Sequence, residues 1–170
     1  MTEPKLYWVN ASLRGGLAVV TRPRHAGHFG ALKAAGIDVL VSLLEPEEAL
    51  AVGLGEEARH CARAGIEFLS FPIEDHGVPT AFEAVEELVA RLIGHLDAGR
   101  GVAAHCYAGL GRSPLLVASV LIRHGFTDEE AIRLVSEARG YGVPEMEEQH
   151  RWLYGLADRA GRFDADSEPC

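Results

Sequence analysis

Cysteine is scarce in this chain: Cys61, Cys106 and Cys170 are the only three. So small and odd a set does not read as a disulfide framework, so stability must come from a hydrophobic core. A reduced, cytoplasmic setting is the expectation. Long apolar runs are also missing; none approaches the ~20 residues of a membrane span. The start, Met1-Thr-Glu-Pro-Lys-Leu6, has no basic stretch leading into an apolar one, so no secretory signal is expected there. Positive charge is the third shortage, with 16 Lys and Arg against 25 Asp and Glu and a formal net charge of −9. That argues against wholesale binding to nucleic acid or to an anionic membrane. An anionic ligand would be repelled at long range, so its attraction must be local; the basic run Thr21-Arg-Pro-Arg-His25 is one such source. No His, Cys, Asp and Glu spacing matches a metal site, and His105-Cys106 are adjacent, not at a ligand spacing. No metal or cofactor is expected.

What is present is ordinary for a globular protein: 170 residues, 48% hydrophobic and 24% charged. We expect one domain over residues 1–160 and a frayed polar tail over 161–170, with Cys170 an unimportant terminal thiol. Lys5 to Asn10 reads as a short strand or an irregular segment, with Tyr7 and Trp8 packing on the domain. Strands are expected at Leu17–Thr21, Val39–Leu44 and Glu67–Ile73, each a short apolar or β-branched run. Helices are expected over His28–Ala35, over Glu45–Ala64 split near Gly53 and Gly55, and over Ala81–Leu96. Two more are expected from Thr127 to Gly140 and from Pro144 to about Leu156. Thr80 with Glu83, and Thr127 with Glu130, have capping-box spacing. Cys61 falls on one of these helices and reads as a small core residue. Strands alternating with helices imply an α/β fold, a mostly parallel central sheet flanked by helices on both faces. Ligands of such sheets bind beyond the carboxyl ends of the strands.

The chain is organised around Val102-Ala-Ala-His-Cys-Tyr-Ala-Gly-Leu-Gly-Arg-Ser-Pro114. Val102 to Ala104 reads as a buried strand, and Leu115 to Ile122 as a buried helix. Between them a thiol, two glycines and an arginine lie in a short loop. Gly109 and Gly111 permit the backbone angles of a concave nest, so the N–H groups from Tyr107 to Ser113 can converge on an anion. The first helical turn adds its own unpaired N–H groups and the positive end of its dipole. Arg112 supplies a planar fork matched to two oxygens of a phosphate. A field that holds phosphate also favours the thiolate form of Cys106. Transfer of a phosphoryl group to that thiolate leaves an alkoxide or phenoxide, which needs a proton from an acid on another loop. In Phe71-Pro-Ile-Glu-Asp-His-Gly-Val-Pro79, Asp75 is the candidate, with Glu74 and His76 chemically able to substitute.

The string His105-Cys-(five residues)-Arg112-Ser113 resembles the signature of the cysteine-dependent protein tyrosine phosphatase superfamily. The fuller HCYAGLGRS is similar to the dual-specificity branch, and within it to the kinase-associated phosphatases. The resemblance runs from about Leu17 to Leu153. It implies a protein tyrosine phosphatase-like fold and hydrolysis of phosphotyrosine, with phosphoserine or phosphothreonine, in a protein or peptide substrate. It implies Cys106 as nucleophile, Arg112 as phosphate clamp and Ser113 as the hydrogen-bond partner of the leaving thiolate. Tyr107, Ala108, Gly109, Leu110 and Gly111 would line the phosphate, and His105 would orient the loop. The segment Phe71–Pro79 is similar to the general-acid loop of the kinase-associated group, which favours Asp75. Arg139 to Leu153 resembles the last family helix, where Gln149 either approaches the water site or is a solvated helix residue. Arg139 either borders the cleft or is surface.

Three other readings compete. Phosphoinositide phosphatases resemble one another in carrying lysines inside the loop, where this chain has Tyr107, Ala108 and Leu110. A rhodanese-type sulfur transferase would not require Asp75. A phosphoprotein-binding module needs the clamp but neither nucleophile nor acid.

Overall fold

The structure, a computed structural model, describes residues 3–166. Five strands form one sheet in the order β1-β2-β5-β3-β4. They are β1 (Leu6–Trp8), β2 (Leu17–Val20), β3 (Val39–Ser42), β4 (Glu67–Ser70) and β5 (Val102–His105). Only β1 is antiparallel, on the edge beside β2; β2, β5, β3 and β4 run parallel. The helices are α1 (Ala26–Ala34), α2 (Pro46–Ala51), α3 (Glu57–Ala64), α4 (Phe82–Asp97), α5 (Arg112–Arg123), α6 (Asp128–Arg139) and α7 (Glu147–Asp166).

The period-two geometry of a strand sends alternate side chains to opposite faces, and both faces here are apolar. Leu17, Val19, Val39, Val41, Val102 and Ala104 enter one core with residues of α4, α5, α6 and α7. Ala18, Val20, Leu40 and Ala103 enter a second core with Phe29 and Leu32 of α1 and Cys61 of α3. Burial on both faces is why these strands read as continuous apolar runs instead of alternating ones. The centre of the sheet belongs to β5, paired on both edges. Helix α5 leaves the loop after it and is buried at every position from Arg112 to Ile122. Its two buried hydroxyls are both partnered: Ser119 donates to the Leu115 carbonyl at 2.6 Å, and Ser113 lies 3.2 Å from the sulfur of Cys106.

The α/β expectation, with helices on both faces, matches this architecture; several boundaries move. The expected strand Glu67–Ile73 stops at Ser70, although the Phe71 and Ile73 N–H groups still donate to Ser42 and Leu43. Pro72, between them, has no N–H to continue a ladder. The Thr127–Glu130 capping box is formed, each side chain accepting from the other residue's N–H. The one expected at Thr80 and Glu83 is not: the N-cap of α4 is Ala81 and no side chain caps it. That one-residue shift puts Glu83 out of register with the cap position. The last helix starts at Glu147, not Pro144, and runs to Asp166, so helical backbone continues past Gly161 where a frayed tail was expected. Residues 167–170, with Cys170, lie outside the described residues. Tyr7 packs against the core as expected, and Trp8, though 41% exposed, lays its ring over Gly16.

One glycine is required by a close approach at the start of β5. A Cβ on Gly101 would stand 1.9 Å from the Gly36 carbonyl oxygen, a backbone atom that cannot swing aside. Gly101→Ala is expected to destabilise the fold by about 1–3 kcal/mol, the usual cost of overpacking. Thermal unfolding followed by circular dichroism would read this as a Tm lower by roughly 2–4 °C per kcal/mol.

Candidate active site

The strand β5 delivers Cys106 to the carboxyl edge of the sheet, and α5 begins six residues later at Arg112. Cys106 is 3% exposed, and its Sγ lies 3.2 Å from the hydroxyl of Ser113, itself fully buried. Between them the loop turns through Gly109, whose φ of +73° is a left-handed conformation that favours glycine.

The loop's carbonyls account for its shape. The Tyr107 carbonyl accepts from Arg22 at 2.8 Å, and those of Ala108 and Gly109 accept from Arg139 at 3.3 and 2.9 Å. Leu110 accepts from the Glu145 N–H at 2.9 Å and Gly111 from the Leu115 N–H at 3.0 Å. In a trans peptide the C=O of one residue and the N–H of the next point opposite ways. With five successive carbonyls tied off, the N–H groups of residues 108–112 are turned to the other side of the ribbon. Among the described residues, none of the N–H groups from Tyr107 to Gly111 donates to a protein acceptor. The result is the concave nest that the glycines permit, held in place by side-chain and backbone donors from outside the loop.

Arg112 is 2% exposed. Its two terminal nitrogens donate to the two carboxylate oxygens of Glu48, at 2.8 and 3.0 Å, a two-pronged pair. Nη1 also donates to the Ile73 carbonyl at 3.0 Å, and Nη2 lies 3.1 Å from Asp75 Oδ1. Burial opposes the guanidinium charge, but Glu48, Cys106 and Asp75 together raise the group's pKa above its ordinary value. The same pair holds the Glu48 carboxyl below the usual carboxylate range, against its partial burial.

Asp75 is half-exposed, and its Oδ1 also accepts from the His76 N–H at 3.0 Å. His76 adopts a left-handed φ of 61°, uncommon for a non-glycine residue and marking a tight turn. Gln149, for which a solvated place on the helix was one expectation, is instead fully buried. Its Nε2 donates to the Gly77 carbonyl at 3.0 Å, and its carboxamide packs against Gly111, 3.1–3.2 Å from where a Cβ there would stand. It therefore joins the Asp75 loop to the Cys106 loop. Asp75, His76, Cys106, Tyr107, Ala108, Leu110, Gly111, Arg112 and Glu145 line one cavity of about 80 Å³. Glu74, the alternative acid, is exposed and does not line it.

His105 is completely buried, and its Nε2 is 2.6 Å from Oε1 of Glu57, also buried, on α3. Cys61, one turn along α3, belongs to the core on the other face of the sheet from Cys106. Burial, with Glu57 nearby, pushes its thiol up to about 12, which leaves it an inert core residue. Among the described residues no group of three or more His, Cys, Asp and Glu could hold a metal ion. Among them too, no helix is long and apolar enough to cross a membrane.

Of the loop residues expected to line the phosphate, Tyr107, Ala108, Leu110 and Gly111 line the cavity and Gly109 does not; around them, Arg22 was expected only as part of a basic run, Glu48, Glu57 and Glu145 were not singled out for the site, and Arg139 was left open. For Glu48 a signal existed. It lies just beyond the carboxyl end of β3, the sheet edge where ligands of parallel sheets bind.

Residues 16–126 match the family model described as "Polymorphic toxin system, DSP-PTPase phosphatase". Protein tyrosine phosphatase type IVA 3 of Mus musculus is 40% identical over 77 residues, 44% of each chain. Cyclin-dependent kinase inhibitor 3 of Rattus norvegicus is 31% identical over 97 residues, 54% of this chain and 44% of the relative. The chain thus spans about half the length of the curated relatives it matches. Among solved structures, kinase associated phosphatase, with its catalytic-site cysteine replaced by serine, superposes with a TM-score of 0.84 at 24% identity, covering 95% of this chain and 98% of that one. The fold is therefore that of the phosphatases, and the matched segment carries the thiol loop whole: this chain belongs to the dual-specificity phosphatase (DSP-PTPase) family.

Proposed function

We propose that this protein hydrolyses phosphotyrosine, together with phosphoserine or phosphothreonine, in protein or peptide substrates through a phosphocysteine intermediate. The observation that carries the reading is the loop of residues 107–111, its carbonyls all bonded outward around a buried thiol. That arrangement offers several N–H donors to one tetrahedral anion without any reorganisation at the moment of reaction.

In the first step the Cys106 thiolate attacks phosphorus in line with the departing oxygen. An S–P bond forms, the P–O bond breaks, and Asp75 gives its proton to the leaving oxygen. The loop N–H groups and Arg112 spread the charge of the transferring group. In the second step a water attacks phosphorus and Asp75, now a carboxylate, takes its proton. The P–S bond breaks, and the Ser113 hydroxyl, 3.2 Å from Sγ, hydrogen-bonds the departing thiolate. Glu48 aims Arg112, His105 steadies the loop from behind, and Gln149 keeps the two loops in register. The shallow cavity, about 80 Å³ and open beside Tyr107, supports acceptance of all three phosphorylated hydroxyl residues. A reducing compartment such as the cytoplasm suits a nucleophilic thiol.

Replacing Asp75 by Asn removes the proton donor but keeps the side-chain shape. It is expected to slow phosphopeptide turnover by ~10²–10⁴, and less for p-nitrophenyl phosphate, whose leaving group needs little protonation. Steady-state kinetics on both substrates, with vanadate as inhibitor, checks this. A harmless Asp75→Asn beside a crippling Glu74→Gln would move the acid role to Glu74.

A further inference from the structure

The carboxyl ends of β3, β4 and β5 carry three polar side chains in register. Ser42 is the strand partner of both Ser70 and His105. Leu40, Phe68 and Ala103, two residues earlier in each strand, pack in the second core. Ser42, Ser70 and His105 therefore point to that same face. Glu57 of α3 meets His105 there. Ser42, Ser70 and Glu57 line a groove of about 330 Å³, a size that suits a small molecule. The rest of the lining is mainly apolar and includes Leu44, Leu54, Phe68 and, on α2, Leu50.

Two of the polar groups are buried without a full set of partners. Ser42 is 3% exposed and Glu57 2%. Glu57 uses Oε1 on His105; among the described residues, neither its Oε2 nor the Ser42 hydroxyl has a hydrogen-bond partner. A buried polar group costs free energy unless something meets it. Both residues line the groove, so a ligand there can meet them. With Ser70 they offer three oxygen acceptors, one of them on a carboxylate. A primary ammonium has three N–H donors and no acceptor, and it is the head group this set matches. A carboxylate or phosphate head would meet Glu57 with like charge. The formal net charge of −9 also draws a cation toward the protein.

The groove adjoins the helix that aims Arg112. None of the six residues of α2 is buried, so packing holds it weakly. Pro46, Ala49 and Leu50 of α2 line the groove. Leu50 is 70% exposed and leans over Gly55, its Cδ2 2.8 Å from where a Cβ there would stand. Glu48, beside Ala49 in the chain, makes the two-pronged pair with Arg112.

We propose that this groove binds a primary ammonium carrying an apolar chain, and that its occupancy holds α2, and through Glu48 also Arg112, in the anion-binding position. The ammonium head lies among Ser42, Ser70 and Glu57, and the hydrocarbon lies against Leu44, Leu50, Leu54 and Phe68. The coupling to Arg112 rests on the phosphatase reading above; the ammonium site does not.

The test titrates n-hexylammonium into the full chain by calorimetry, beside n-hexanol and hexanoate. The ammonium is expected to bind roughly tenfold tighter than either, the scale of a charge-assisted contact. Ser42→Ala should weaken it about tenfold, and Leu50→Ala, which trims an exposed wall and leaves the core alone, roughly fivefold. Saturating hexylammonium should tighten vanadate binding roughly fivefold, and vanadate should tighten hexylammonium by the same factor, as linkage demands. No heat of binding at about millimolar amine, equal affinities for the three compounds, or a preference indifferent to Ser42→Ala would overturn the site. Vanadate affinity unmoved by bound amine would overturn its coupling to Arg112. Parent protein that leaves p-nitrophenyl phosphate intact would instead sink the phosphatase reading, and the amine affinities would still decide what the groove binds.

Discussion

Cys106→Ser is expected to abolish turnover, lowering kcat by about 10⁵-fold or more, on the scale seen when an enzyme loses its nucleophile outright. A hydroxyl at this position stays protonated where a thiol can ionise, and among the described residues the hydrogen-bond partner of Sγ is the Ser113 hydroxyl, at 3.2 Å, which is not a base. The cradle itself should survive, because its shape comes from Arg22, Arg139 and backbone donors bonded to the loop carbonyls, none of which touches Sγ. Phosphopeptide affinity is therefore expected to stay within a few-fold of the parent while no phosphoenzyme accumulates under rapid quench. Mass spectrometry of quenched parent and variant, beside calorimetric affinities, reads both halves. Residual turnover within about a hundredfold of the parent would show that sulfur is not the nucleophile.

Arg112→Lys is expected to cost ~10²–10³ in kcat/KM, the range for loss of one well-placed transition-state donor. Charge is kept, so a purely electrostatic role would tolerate the change. What is lost is the planar fork. A single ammonium cannot span both Glu48 oxygens, reach the Ile73 carbonyl and lie beside Asp75 at once. The effect should fall on kcat more than on KM, because the geometry matters most for the equatorial oxygens of the transferring group. The pair also has a pH signature. Glu48 titrates lower in the folded chain than in the unfolded one. Its contribution to stability is thus complete above the unfolded value of about 4.3 and drains as pH falls through the lower folded value. Glu48→Gln is expected to flatten that acid limb of a Tm-against-pH curve. An unchanged limb would mean that the carboxylate is not what Arg112 holds.

How much of this was legible beforehand depended on distance along the chain. The thiol, the two glycines, Arg112 and Ser113 fall within eight consecutive residues, and a strand before them and a buried helix after them determine which way they face. Alternation of strands and helices was enough for the layered α/β architecture, since each short apolar run has to be covered on both faces. The Thr127 cap was legible for the same reason, because both partners lie within one turn. The Thr80 cap failed because packing of α4 placed its first turn one residue later, a choice local spacing does not make.

The chain's own order of residues determined the thiol loop, its candidate chemistry and the layering of the fold, because those follow from short-range backbone geometry and apolar periodicity. Tertiary structure alone decided what holds that loop open: Arg22 lies 85 residues from Tyr107, Glu48 64 from Arg112, Glu57 48 from His105, and Gln149 72 from Gly77. An arginine or a glutamate has the same side chain on a solvated surface as in a buried pair. Only the parallel stacking of β2, β5 and β3, which brings their carboxyl ends to one edge, tells which of them meets a partner.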